Sequence, residues 1–214
     1  MRRPLPRLHV LTPPELHPGS DAAVAAVLRA GVAVQVRVKA HDDRDVLDHA
    51  RTLATAARQR GAMCLVNDRV DLALAAGADG AHLGAGDLPV ADARRVADAC
   101  APVDGPPLLV GGTAREPEAA RRLVDAGADY LGVGPCFATS SKSGLPAPGG
   151  SARVEAVARA VDVPVIAIGG VTVDRVPALL DAGAHGVAVI GAVWSAADPV
   201  AAVSALCAAL DGER

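Results

Sequence analysis

The sequence predicts an α/β fold, a single-domain (β/α)8 TIM barrel over residues 1–214, and three observations predict it. Short β-branched runs alternate with Ala-, Leu- and Arg-rich stretches, eight times each. Several of the short runs are apolar without interruption, as strands buried on both faces of a parallel sheet are. A helix-to-strand joint also recurs: "AAGADG" at 75–80, "DAGADY" at 125–130 and "DAGAHG" at 181–186. Gly77, Gly127 and Gly183 suit the left-handed position that follows a helix, and their spacing is about two βα units. A doubly wound open sheet is the alternative, but no G-x-G-x-x-G follows the first strand.

The predicted strands are "LHVLT" (8–12), "VAVQVRV" (32–38), "AMCLV" (62–66), "DGAHL" (79–83), "PLLVG" (107–111), "DYLGV" (129–133), "PVIAI" (164–168) and "GVAVI" (186–190). Helices are predicted over 21–30, 43–60, 69–76, 89–101, 116–126, 151–161, 173–182 and 198–210. Glu116-Pro117 and Asp198-Pro199 read as helix starts, with proline near the first helical position. Residues 1–7 and 211–214 are set aside as flexible ends. Hydrophobic residues make up 51% of the chain and aromatic ones 1%, so the core must be aliphatic and its helices close to its sheet.

Composition excludes several classes. A net charge of −3 with scattered Lys and Arg is no footprint for nucleic acid. No apolar run approaches the roughly 18 residues of a membrane span, and the N-terminus lacks a signal-peptide core. Cys64, Cys100, Cys136 and Cys207 are far apart and form no CxxC pair, so free thiols in a reducing cytoplasm are expected, without zinc. A homo-oligomer is compatible with the chain.

In such a barrel the functional residues lie at the C-terminal strand ends. On the second strand, alternation puts Gln35, Arg37 and Lys39 on one face and Val34, Val36 and Val38 on the other. Three inward polar side chains would be costly without a ligand, and Arg with Lys suggests a phosphate. The third strand ends in "VNDR", where Asn67 or Asp68 either caps a helix or enters a site. The fourth ends in "GAHLGAGD", with His82 on the strand and Asp87 beyond it. Neighbouring strands are about 4.8 Å apart, so Asp68 and Asp87 can meet at one mouth. Two carboxylates facing Arg and Lys across a phosphate make a magnesium site. Thr113, after the fifth strand, is either a ligand hydroxyl or a helix cap.

The sixth strand opens into the longest irregular segment, "GVGPCFATSSKSGLPAPGG". Thr139, Ser140 and Ser141 precede Lys142 there, a set suited to phosphate oxygens on a binding loop. Cys136 has no base partner and reads as packing. After the seventh and eighth strands, Gly169-Gly170 and Ile190-Gly191 form a backbone cup where these barrels hold phosphate. Two anion sites in one mouth suggest the condensation of two substrates.

In "VQVRVK", "VNDRVDLALAAGADGAHLG", "GADYLGVGPCFATSSK" and "VPVIAIGGV", taken in that order and spacing, the chain resembles the thiamine-phosphate synthase family over nearly its whole length. The resemblance implies a magnesium-dependent cytoplasmic transferase of thiamine biosynthesis. It would join 4-amino-2-methyl-5-hydroxymethylpyrimidine diphosphate to 4-methyl-5-(2-phosphoethyl)thiazole, giving thiamine phosphate and pyrophosphate. By the same resemblance Arg37, Lys39, Asn67, Thr113 and Lys142 hold the diphosphate, and Arg37, Lys39 and Lys142 carry the catalysis. Asp68 and Asp87 are the metal ligands, and Gln35 and His82 lie near the pyrimidine. Thr139 and Ser141 touch the substrates, and Gly169, Gly170, Ile190 and Gly191 cup the thiazole phosphate. The family's acidic residue between Arg37 and Lys39 is here Val38, its glutamine is Ala85 and its cup serine is Gly191; none of these removes a charge. The mechanism implied is dissociative. Two rivals are a thiazole tautomerase, which need not keep the two aspartates or the loop lysine, and a non-catalytic phosphate binder, which would not require a metal pair.

Overall fold

The structure, a computed structural model, describes residues 4–13, 20–38, 42–101, 105–139 and 144–212. Eight strands close into a parallel barrel in chain order, the last pairing with the first. They are β1 Leu8–Leu11, β2 Val32–Val36, β3 Met63–Asn67, β4 Gly80–Leu83, β5 Leu109–Ala114, β6 Tyr130–Val133, β7 Val165–Ile168 and β8 Gly186–Val189. Between them run α1 Ser20–Val27, α2 Asp43–Gln59, α3 Val70–Ala76, α4 Val90–Ala99, α5 Pro117–Asp125, α6 Gly150–Ala158 and α7 Val176–Asp181, the last preceded by a 3-10 turn at Val173–Arg175. After β8 comes a short helix that the sequence did not suggest, α8 Gly191–Trp194, and then α9 Pro199–Asp211. The open-sheet alternative is thereby excluded.

Two apolar layers hold the barrel. The larger lies between sheet and helices and is built from the outward residues of the strands, such as Val34, Val66 and Val187. The smaller fills the interior with Leu11, Ala33, Met63, Leu65, Tyr130, Ile166 and Ala188. One large ring, that of Tyr130, sits in this interior, and Gly111 makes room for it. A Cβ there would lie 2.2 Å from the Tyr130 ring, so only glycine admits the tyrosine. β5 runs on through "GGTA" to Ala114, beyond the predicted end at Gly111: Gly111 serves interior packing, and Gly112 faces Val90 and Leu123 of the helices.

The repeated joint fastens the bottom of the barrel. Gly77, Gly127 and Gly183 all have positive φ. The next acidic residue then clasps a neighbouring strand. Asp79 accepts from Cys64 N at 2.8 Å and Asp129 from Val110 N at 2.8 Å. In the third copy the residue is His185, whose Nε2 lies 3.0 Å from the Leu5 carbonyl. Arg7 Nε donates to His185 O, and Val187 N donates to Arg7 O. Residues 5–7, set aside above as part of a flexible end, are thus bonded to the barrel floor, and α9 runs through Asp211. α9 starts at Asp198-Pro199 as anticipated, and the Asp198 side chain caps it, accepting from Val200 N and Ala201 N.

Candidate active site

A cavity of about 660 Å³ opens at the C-terminal ends of the strands. The inward side of β2 brings Gln35 and, just past the strand end, Arg37 to its wall. Gln35 is 3% exposed and Arg37 7%, so both are held in the interior, where a polar group needs partners. Thr12 pins this strand end: its hydroxyl accepts from Arg37 N at 2.9 Å and donates to Arg37 O at 3.3 Å.

Asn67, Asp68 and Asp87 line the same cavity. Register pairs Asn67 with His82, and Asp68 N donates to His82 O at 2.8 Å. Asp68 has φ +67, a left-handed backbone that a non-glycine residue adopts at a cost. The N-cap of α3 is Arg69, so the capping alternative for Asn67 and Asp68 does not hold. Arg69 is turned outward, bonded to Asp43 and Asp71. Asp87 closes a tight turn, its Oδ2 accepting from Gly84 N at 2.6 Å, and Ala85 sits on the cavity wall within that turn.

His82 and Thr113 also line the cavity and are bonded to each other, 3.0 Å from Nε2 to Oγ1. The N-cap of α5 is Glu116, so Thr113 is no helix cap. His82 Nδ1 lies 3.1 Å from the Tyr130 hydroxyl. Burial raises the Tyr130 phenol far above its ordinary value, so it stays a neutral hydroxyl.

On the opposite wall are Gly169 and Gly170, with φ +99 and +62, and Ile190 and Gly191. A Cβ on Gly170 would stand 2.4 Å from the Ala138 carbonyl, so the backbone approach requires glycine. Thr139 belongs to the wall as well. The start of the long segment runs beside β7, Cys136 N donating to Ile168 O and Phe137 N to Gly169 O, both at 2.9 Å. Its end folds back, Gly149 N donating to Pro135 O. Cys136 is buried, which pushes its thiol up to about 11 and leaves it unreactive. Lys39, Ser141 and Lys142 lie outside the described residues.

Sequence reasoning missed three things here. Arg115 and Arg175 both line the cavity. Arg175 donates to Gly170 O at 2.5 Å and stacks 4.4 Å over the Phe137 ring. "TARE" and "VDR" read as helix starts; Arg115 lies just before the Glu116 N-cap of α5 and Arg175 ends the 3-10 turn before α7. The third is His9, fully buried below the cavity, 2.9 Å from Gln35 Nε2 through its Nδ1. An inward histidine on the first strand was visible in "LHVLT", but its partner was not.

The residues present suit a hard divalent cation. Two carboxylates share the cavity wall, and beside them Asn67 Oδ1 is buried without a hydrogen-bond partner among the described residues. No group of three or more His, Cys, Asp or Glu is gathered among the described residues. Two carboxylates with water and phosphate oxygens are a usual magnesium environment.

A closed parallel barrel with carboxylates, arginines and a glycine cup at one mouth defines a phosphate-handling barrel enzyme. The chain belongs to the thiamine monophosphate synthase family, whose pattern matches residues 8–193. It is 50% identical over 212 residues to the thiamine-phosphate synthase of Salinispora arenicola, covering 96% of this chain and 98% of that one. It is 42% identical to that of Haloarcula marismortui, covering 91% of each. The solved thiamine phosphate pyrophosphorylase from Pyrococcus furiosus superposes with a TM-score of 0.83 at 32% identity, covering 97% of this chain and 96% of that one. Among the described residues, no helix is long and apolar enough to cross a membrane.

Proposed function

We propose that the protein condenses 4-amino-2-methyl-5-hydroxymethylpyrimidine diphosphate with 4-methyl-5-(2-phosphoethyl)thiazole, forming thiamine phosphate and pyrophosphate. The observation that carries the reading is that one cavity has two differently built anion walls. Arg37, Asn67, Asp68 and Asp87 form one, and Gly169, Gly170, Ile190 and Gly191 form the other. A diphosphate suits the first and a monophosphate the second, with room between for two rings.

The residues then act by charge and position. The methylene C–O bond breaks heterolytically and its electron pair leaves with pyrophosphate. The thiazole nitrogen donates its lone pair to the resulting carbocation, closing the C–N bond. Arg37, with Lys39 and Lys142, stabilises negative charge that grows on the leaving oxygens, an interaction stronger in the transition state than before it. Asp68 and Asp87 would hold magnesium, which when bound supplies further neutralisation of those oxygens. Gln35 and His82 hold the pyrimidine. No strong general base is required, which suits a site where His82 is engaged with two neutral hydroxyls. The segment 135–150 shields the cation from water.

The test mixes the protein with both substrates and Mg²⁺ and measures thiamine phosphate and pyrophosphate. Equal amounts of the two products are expected. Folded protein that yields neither product overturns the reading.

A further inference from the structure

His9 is 0% exposed, and each of its two ring nitrogens has one polar partner. Nε2 lies 3.1 Å from the Pro6 carbonyl, which can only accept. The ring proton therefore sits on Nε2, and Nδ1 is left as an acceptor. Nδ1 is 2.9 Å from the side-chain amide of Gln35. Only the NH2 end of that amide can meet it, so the amide has one permitted orientation. Its carbonyl oxygen is turned away from His9, and Gln35 lines the cavity while His9 does not.

We propose that His9 is a positioning residue that fixes the amide of Gln35 in one orientation and so makes the cavity selective for an amino-substituted over an oxo-substituted pyrimidine. The inference rests on the substrate reading above. A 4-aminopyrimidine edge offers an N–H donor beside a ring-nitrogen acceptor. The held amide offers the complement, a carbonyl acceptor beside its second N–H. A 4-oxopyrimidine edge has the pattern reversed, a carbonyl acceptor beside a ring N–H donor. A free glutamine would serve both by rotating its amide by half a turn. With Nδ1 of His9 behind it, that rotation sets carbonyl oxygen against ring lone pair in a buried place. Burial supports the arrangement, because it holds His9 neutral well below its ordinary range. The ring also packs edge-on against Tyr130, 5.6 Å between centroids, which fixes its plane.

The experiment measures inhibition constants of matched 4-amino and 4-oxo pyrimidine diphosphate analogues in the unmodified protein, His9→Phe and His9→Asn. The unmodified protein should prefer the amino analogue by on the order of 100-fold, as a polar site rejects a mismatched edge. His9→Phe keeps a ring but no acceptor, and its preference should fall to a few-fold. His9→Asn offers an acceptor at the Nδ1 position but can turn its own amide, so its preference should fall between those two. The KM for the thiazole phosphate should stay the same in all three. An unchanged ratio in His9→Phe overturns the inference, as does no preference in unmodified protein that makes thiamine phosphate. Protein that binds neither analogue and makes no product overturns the substrate reading itself. Should His9→Phe fail to fold, imidazole 15N shifts of the unmodified protein decide: a neutral Nε2–H ring is expected, and an Nδ1–H ring or an imidazolium at neutral pH overturns it.

Discussion

His9 carries a stability consequence as well as a positional one. Burial, and then the nearby His82, push its imidazole down to about 3 from an ordinary value of 6.5. The folded chain therefore binds fewer protons at this residue than the unfolded chain once pH falls below 6.5. Stability from the neutral ring is complete above 6.5 and drains away as pH drops toward 3, at up to roughly 1.4 kcal/mol per pH unit. Urea unfolding at stepped pH should show this slope. In His9→Asn the slope between pH 6 and 4 should be shallower by close to one proton. An identical slope in the variant would mean that His9 titrates normally in the fold. Asp68 shows the same compromise by geometry: its left-handed backbone costs stability at an exposed residue on the cavity wall. Such a conformation is local, yet "VNDR" does not reveal it, since asparagine and aspartate serve equally in caps and turns.

Among the elements, the strands were legible because their outer faces obey a simple rule. Val, Leu and Ala recur where a strand meets the helices, and Gly, Asp or Pro bounds most of the runs. The ends of β5 and the existence of α8 were not legible. The reasons differ: Gly111 is small to admit Tyr130 from the neighbouring β6, and α8 is a single turn without a periodic face. This makes β5 testable. Gly111→Ala places a methyl 2.2 Å from the Tyr130 ring and 2.6 Å from its hydroxyl. Overpacking should cost about 1–3 kcal/mol or more. Because the hydroxyl of Tyr130 meets His82, the KM for the pyrimidine diphosphate should rise at the same time. Chemical denaturation and initial rates would measure the two effects. Stability equal to that of the parent would show that the tyrosine can move aside freely.

At the scale of the whole molecule, barrel closure is what joins residues far apart in the chain into one site. The carboxylates and the glycine cup were legible because each stands at a strand end, and the topology alone sends strand ends to one mouth. Arg115, Arg175 and the pairing of His9 with Gln35 were not, because they depend on side-chain direction across that mouth. The joined site has a thermodynamic signature. With few protein ligands gathered for a cation among the described residues, binding of metal and phosphate should be mutually dependent, each completing the other's coordination. Pyrophosphate with Mg²⁺, at about 100 times its dissociation constant, should stabilise the fold by about 2.7 kcal/mol. For a chain of this size that is a rise in Tm of roughly 5–10 °C, whereas either component alone should give much less. Chelation by EDTA should reverse the rise. Asp87→Asn keeps an oxygen for the Gly84 N–H that closes its turn but loses the charge, so its own Tm should stay near the parent's while the joint rise and turnover both disappear. If pyrophosphate stabilised the chain equally with and without Mg²⁺, the arginines would be holding it unaided and the two aspartates would need another role.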